Sequence, residues 1–224
     1  MSRKIHDSSI IIDCLEISKW SEEVFRSMRL GGLTAANCTI SVLENFRETV
    51  ANIAWWHEAF EKYTHLIMPV HTTADIQAAK ETGKTGIIFG FQNTSAIEDD
   101  LDLLSIFHAL GVRIIQLTYM EANLVGQGCL ERLDAGLTDF GLEVIAEMNR
   151  LGILIDLSHV GYRTTMEAIE ASGKPVAFTH ANPKSLCDHP RNKPDDAIKA
   201  LAKKGGVIGA TIFPLFLPAG YNST

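Results

Sequence analysis

Runs of apolar, largely β-branched residues alternate along this chain with segments of helical periodicity, and that alternation limits the possible folds more than any other feature. The runs are Ile10–Leu15, Leu33–Ile40, Thr85–Phe91, Val112–Tyr119, Gly152–His159, Pro175–His180 and Gly206–Phe213. Between them lie amphipathic patterns: a helix capped by Ser21 and running to Arg29, then Phe46–Tyr63, Thr73–Thr82, Ile97–Leu110, Thr138–Leu151 and Asp195–Lys204. Thr164 and Glu167 have the spacing of a capping box that opens a helix to Ala171. Continuous apolar strands separated by helices read as parallel strands covered on both faces. Seven strands in this order lie close to an eight-stranded β/α barrel, which typically takes about 250 residues. No GxGxxG follows the first run and no P-loop occurs, so an open nucleotide-binding sheet is the weaker reading. The chain reads as a single β/α barrel domain over 1–224, cut short before its eighth strand.

Composition narrows the partners. The 224 residues carry 20 basic and 27 acidic side chains, a net charge of −7, which disfavours nucleic acid or an anionic membrane as the main partner. The apolar run after Arg3 and Lys4 is interrupted by Asp13 and is too short for a secretory or membrane-spanning segment. Cys14, Cys38, Cys129 and Cys187 are scattered without a CxxC pair, the pattern of reduced thiols in a cytoplasmic protein. The strand edges of an unclosed barrel would invite pairing with a second copy, so a homo-oligomer is one expected state.

Two strand ends carry the chemistry: Asp156-Leu157-Ser158-His159 and Phe178-Thr179-His180. Histidines at the C-terminal ends of successive parallel strands can point into one cavity, where imidazole is a common metal ligand. Gln92-Asn93 ends the third run with polar residues where apolar ones would serve folding equally well, so Gln92 is expected to face the same cavity. The irregular stretch Met120–Gly136 follows the fourth run, where barrel loops build active sites. No GxSxG elbow and no cysteine with a local histidine partner supports nucleophilic acyl transfer.

Gly136-Leu137-Thr138-Asp139-Phe140-Gly141, Met148-Asn149-Arg150-Leu151-Gly152, Ile155-Asp156-Leu157-Ser158-His159-Val160, His180-Ala181-Asn182 and Pro190-Arg191-Asn192 together resemble the membrane (renal-type) dipeptidases, peptidase family M19. The resemblance runs from Ile11 to Leu217. It implies a TIM-like barrel of the metal-dependent amidohydrolase type and a zinc-dependent dipeptidase that uses metal-activated water on dipeptides or related small amides. By the same resemblance, His159 and His180 match two metal-ligating histidines, and Arg191 matches the arginine that takes the substrate carboxylate. The family's His-x-Asp on the first strand falls on Leu15 and Ile17, its bridging Glu on Gln92, and its histidine after the fourth strand on Tyr119. The set that the resemblance leaves is therefore His159 and His180 for at most one zinc ion, with Gln92 and Tyr119 as altered catalytic positions. Strand alternation puts Cys14 and Glu16 on the face opposite Leu15 and Ile17, so they reach the interior only through a bulge. The alternative reading is a catalytically degraded barrel that binds a small carboxylated ligand without hydrolysis.

Overall fold

The computed structural model describes residues 2–218. Every apolar run forms a strand: β1 (Ile12–Glu16), β2 (Ala35–Ser41), β4 (Thr85–Phe91), β5 (Val112–Gln116), β6 (Leu154–Asp156), β7 (Ala177–Phe178) and β8 (Val207–Ile208). All pair in parallel in the path β1-β2-β4-β5-β6-β7-β8, the partly wound β/α barrel that the alternation calls for. β1 and β8 are the two ends of this path among the described residues, and a cleft of about 500 Å³ lies between them.

One strand was not legible as a run. β3 (Ile67–Pro69) pairs with Thr85–Ile87, whereas β5 pairs with Phe89–Phe91 of the same strand, so β3 and β5 share one edge of β4 end to end. Three residues ending in proline are too short to give a period, and proline fits there because it needs no ladder N–H at a strand end. β3 leads into α4 (Thr73–Thr82), closed by Gly83 at φ +64.

The remaining helices are α1 (Ser2–Ser8), α2 (Glu22–Leu30), α3 (Phe46–Lys62), α5 (Leu103–Ala109), α6 (Asp139–Leu151), α7 (Tyr162–Ala171) and α8 (Asp195–Lys203). α3 opens on a reciprocal box, Asn45 with Glu48, and its stripe buries Ile53 and Trp56 while leaving Trp55 at the surface. The helix expected over Ile97–Leu110 is only its second half. Glu98 takes φ +53, the single left-handed non-glycine residue among those described, and breaks the segment into a 3₁₀ turn and α5. Its carboxylate accepts from the Phe46 N–H at the start of α3, so it serves another helix and not its own. The capping box read at Thr164 is likewise displaced. The N-cap position of α7 is Gly161, three residues earlier, and Asp134 caps the helix, accepting from the N–H of Arg163 at 2.6 Å and from the Thr164 hydroxyl at 2.9 Å.

Alternation along the strands sorts the two faces. Cys38, Ile40, Phe89, Phe91, Ile115 and Phe178 pack outward with α2, α3, α5, α6, α7 and α8 in one continuous core. The alternate residues face the barrel axis. At the N-terminal end they are apolar: Ala35, Ile88 and Ile114 meet Val70 and Ile76 from the β3–α4 segment. A side chain on Gly86 would come within 2.6 Å of Val70, so bare backbone lets that segment seal the floor. Toward the C-terminal end the axis residues turn polar (Asn37, Thr39, Gln116, Asp156), and there the candidate site begins.

Candidate functional site

Asp156 is the root of the site. It ends β6 almost fully buried, and its carboxylate accepts from the Ser158 and Thr179 N–H groups, each at 3.0 Å, and from the Ser158 and Thr179 hydroxyls, each at 2.6 Å. One carboxylate thus ties the end of β6 to the end of β7. The two histidines that follow are brought together as the sequence implies: His159 Nε2 lies 2.9 Å from His180 Nε2. His180 Nδ1 contacts Thr179 Oγ1 at 2.8 Å and stands 3.9 Å from Asp156 Oδ2. Tyr119 stacks on His159 with ring centroids 4.4 Å apart.

Arg191 closes the arrangement from below. It is wholly buried, and its guanidinium donates to Ser158 O at 2.5 Å and to His180 O, bracing the chain on either side of the imidazole pair. Two residues on, buried Lys193 donates to Val160 O at 2.7 Å and sits 5.2 Å over the Phe178 ring. Burial, reinforced by Arg191, brings the Lys193 ammonium down to about 7, and burial brings Arg191 itself to about 10. Burial also lowers both imidazoles, His180 to about 4, with Arg191 and Lys193 adding to the effect. Both rings are therefore neutral at neutral pH.

The other candidate positions divide. Gln92 is buried and donates to Thr39 Oγ1 at 3.0 Å, while its backbone carbonyl accepts from Gln116. Leu15 and Ile17 do not share a cavity: Leu15 lines the cleft between β1 and β8 with Cys14, Glu16 and His180, and Ile17 lines a separate pocket with Thr39, Trp20 and Trp55. The cause is a register shift between Asp13 and Glu16 where β1 pairs with β2, with the Leu15 N–H turned onto Asp13 Oδ1. That is the bulge through which Cys14 and Glu16 could reach the cleft, so strict alternation failed at this strand. The loop after β5 is anchored to the site, since the Cys129 N–H donates to His159 O at 2.8 Å.

Sequence reasoning missed Thr179, Lys193, Asn37 and Gln116. A signal existed for the last two: each is an amide inside an apolar run, at a position of axis-facing parity. Asn37 Oδ1 and Gln116 Oε1 are buried without a partner among the described residues.

Whether a metal suits these residues can be tested on the histidines. A metal-bound imidazole ligates through one nitrogen and almost always donates the other N–H to a carboxylate, carbonyl or water. His180 meets that requirement through Thr179 and Asp156. His159 does not, because its Nδ1 is buried with no hydrogen-bond partner among the described residues. Among the described residues there is no group of three or more His, Cys, Asp or Glu side chains placed to hold a metal, against the usual three protein ligands of catalytic zinc. The described residues do not fit such a centre.

Comparison with known proteins places this geometry. The family model described as membrane dipeptidase (Peptidase family M19) matches residues 21–224. An uncharacterized dipeptidase, C965.12, of Schizosaccharomyces pombe is 33% identical over 179 residues, covering 76% of this chain and 42% of that protein. The crystal structure of an amidohydrolase from Pseudomonas aeruginosa superposes with a TM-score of 0.97 at 51% identity, over 99% of this chain and 68% of the other. A metallo peptidase from Rhodobacter sphaeroides, liganded with a phosphinate mimic of the dipeptide L-Ala-D-Ala, shares the fold with a TM-score of 0.85 at 19% identity, over 96% and 77% of the two chains. The chain spans about two fifths of the length of the curated relatives it matches. No described helix is long and apolar enough to cross a membrane.

Proposed function

Since this chain belongs to the membrane dipeptidase family, peptidase family M19, we propose that it binds and acts on dipeptides or related small amides at the C-terminal mouth of its barrel, with His159 and His180 at the reacting end. The observation that carries this reading is the contact of the two imidazoles, 2.9 Å apart at the ends of adjacent parallel strands. The family is one of metallopeptidases, but the single-zinc site that His159 and His180 could share lacks a third ligand among the described residues, and no step is routed through a metal here.

In this reading each residue has a part. As water attacks the amide carbonyl and the C–N bond breaks, the neutral imidazole pair takes a proton from the attacking water and returns it to the leaving amine. Tyr119 holds the plane of the His159 ring by stacking on it. Gln92, with its amide N–H on Thr39, keeps its carbonyl oxygen for a substrate N–H. Arg191 supplies the positive field that draws a substrate carboxylate, while its N–H groups hold the two histidine-bearing loops together.

A second reading, binding of a small carboxylated ligand without cleavage, is favoured by Leu15, Ile17 and Gln92 at the resemblance's metal-ligand positions. Isothermal titration with a dipeptide panel, followed by a turnover assay on the same panel, separates the two. Binding with release of free amino acids supports the first reading; binding without release supports the second. No binding to any dipeptide removes both.

A further inference from the structure

The hydrogen bonds around Asp156 fix where the protons of the histidine pair reside. The carboxylate accepts four hydrogens, one of them from the Thr179 hydroxyl at 2.6 Å. A Thr179 proton turned instead toward His180 would leave two bare oxygens facing each other at that distance. Thr179 Oγ1 is thus a donor to Asp156 and an acceptor from His180, so His180 carries its proton on Nδ1. In a neutral ring this leaves Nε2 of His180 as a lone pair. The 2.9 Å contact then requires the proton of His159 to sit on Nε2 and point at it. His159 Nδ1 is left as a lone pair, which agrees with its being buried without an acceptor among the described residues.

This assignment is the reverse of what a metal needs from His159. To ligate through Nε2, that ring would have to move its proton to Nδ1, where no described residue accepts it. A shared metal would also place a further positive charge beside the buried Arg191 guanidinium and the buried Lys193 amine, with Asp156 as the one buried carboxylate among the described residues.

We infer that His159 and His180 form a proton-sharing imidazole dyad in place of the family's metal centre, with His180 as the Nδ1–H tautomer backed by Thr179 and Asp156 and His159 as the Nε2–H tautomer donating to it. The dyad holds one shared hydrogen, on His159 Nε2, and its two ends differ: His180 is backed by Thr179 and by Asp156 at 3.9 Å, whereas His159 Nδ1 has no partner among the described residues. The inference stands on this geometry whatever the substrate is.

The test is nitrogen NMR of the full chain labelled with ¹⁵N-histidine and purified without chelator, joined to a zinc titration. Four expected signals are a protonated Nδ1 on His180, a protonated Nε2 on His159, and an unprotonated ring nitrogen at the other position of each. Assignment uses His159→Gln and His180→Gln. Zinc should bind the unaltered chain no more than about twofold tighter than it binds His180→Gln. Thr179→Val removes the acceptor of the His180 proton and should shift that tautomer, a change that loss of packing alone would not produce. If the valine variant does not fold, the spectrum of the unaltered chain still decides. A protonated Nδ1 on His159 overturns the proposal. So does one zinc per chain whose affinity falls tenfold or more in His180→Gln.

Discussion

Lys193 gives the most quantitative expectation. Its ammonium is held at about 7 by burial and by Arg191, against 10.5 for a free lysine. A lysine with a lowered folded pKa is protonated in the unfolded chain and not in the folded one over the window from about pH 7 to 10.5. The unfolded state then binds more protons, and stability rises with pH through that window. At ~1.36 kcal/mol per pH unit, burying this amine costs about 4 kcal/mol at pH 7 relative to a strongly alkaline solution, and about 2 kcal/mol of that disappears between pH 7 and 9. Lys193→Met removes the cost together with the bonds to Val160 O and Thr165 Oγ1, together worth ~1–3 kcal/mol for a charged donor. That carbonyl keeps the Thr165 hydroxyl as a partner, so the loss is cushioned. The variant should therefore be about 2 kcal/mol more stable than the unaltered chain at pH 7, an excess that fades by about pH 9. Urea denaturation of both proteins at pH 7, 8 and 9 measures it. A variant that is less stable by the same amount at every pH would show that the amine is held by its bonds and is not strained by burial.

Three further predictions read other parts of the architecture. An added methyl at Gly90 would fall 1.9 Å from Asn37 Oδ1, so Gly90→Ala should lose ~1–3 kcal/mol, with recovery when Asn37→Ala is combined with it, measured as a double-mutant cycle. Arg191→Lys should lose ~2–4 kcal/mol in denaturation and weaken dipeptide binding, because one ammonium cannot span Ser158 O and His180 O as the guanidinium does. Trp56→Ala should cost ~3–5 kcal/mol and Trp55→Ala ~1 kcal/mol or less, since Trp56 is core and Trp55 is 41% exposed; equal thermal shifts would contradict the burial pattern.

What could be read from the sequence and what could not follow from the same physics. The apolar runs located all seven strands of the barrel path, because burial on both faces leaves a continuous signal. Where polar chemistry or short pairing decides the structure, that signal fails: β3 is three residues long, Glu98 breaks a helix by its backbone alone, and Asp134 caps α7 from 29 residues away. His159 and His180 were legible as a pair because strand order brings successive strand ends to one mouth, while Tyr119 entered only through the family resemblance. Leu15 and Ile17 were assigned to one face by alternation, and the β1 register shift sends them to different cavities. Thr179 was given no role of its own in the sequence reading. Its importance lies in a hydrogen-bond direction, which no residue pattern encodes.

The divided edge of β4 has a kinetic consequence. Its first half takes its neighbour from β3, completed before β4 begins, while its second half, which leads into Gln92, waits for β5 on the far side of a turn and α5. A contact closed over a short loop forms sooner than one that must enclose a longer one. Folding should therefore lay the floor first and raise the mouth last. In pulse-labelled refolding, ladder amides at the start of β4 should gain protection from exchange before those beside Phe91; simultaneous protection would mean that the two halves fold as one.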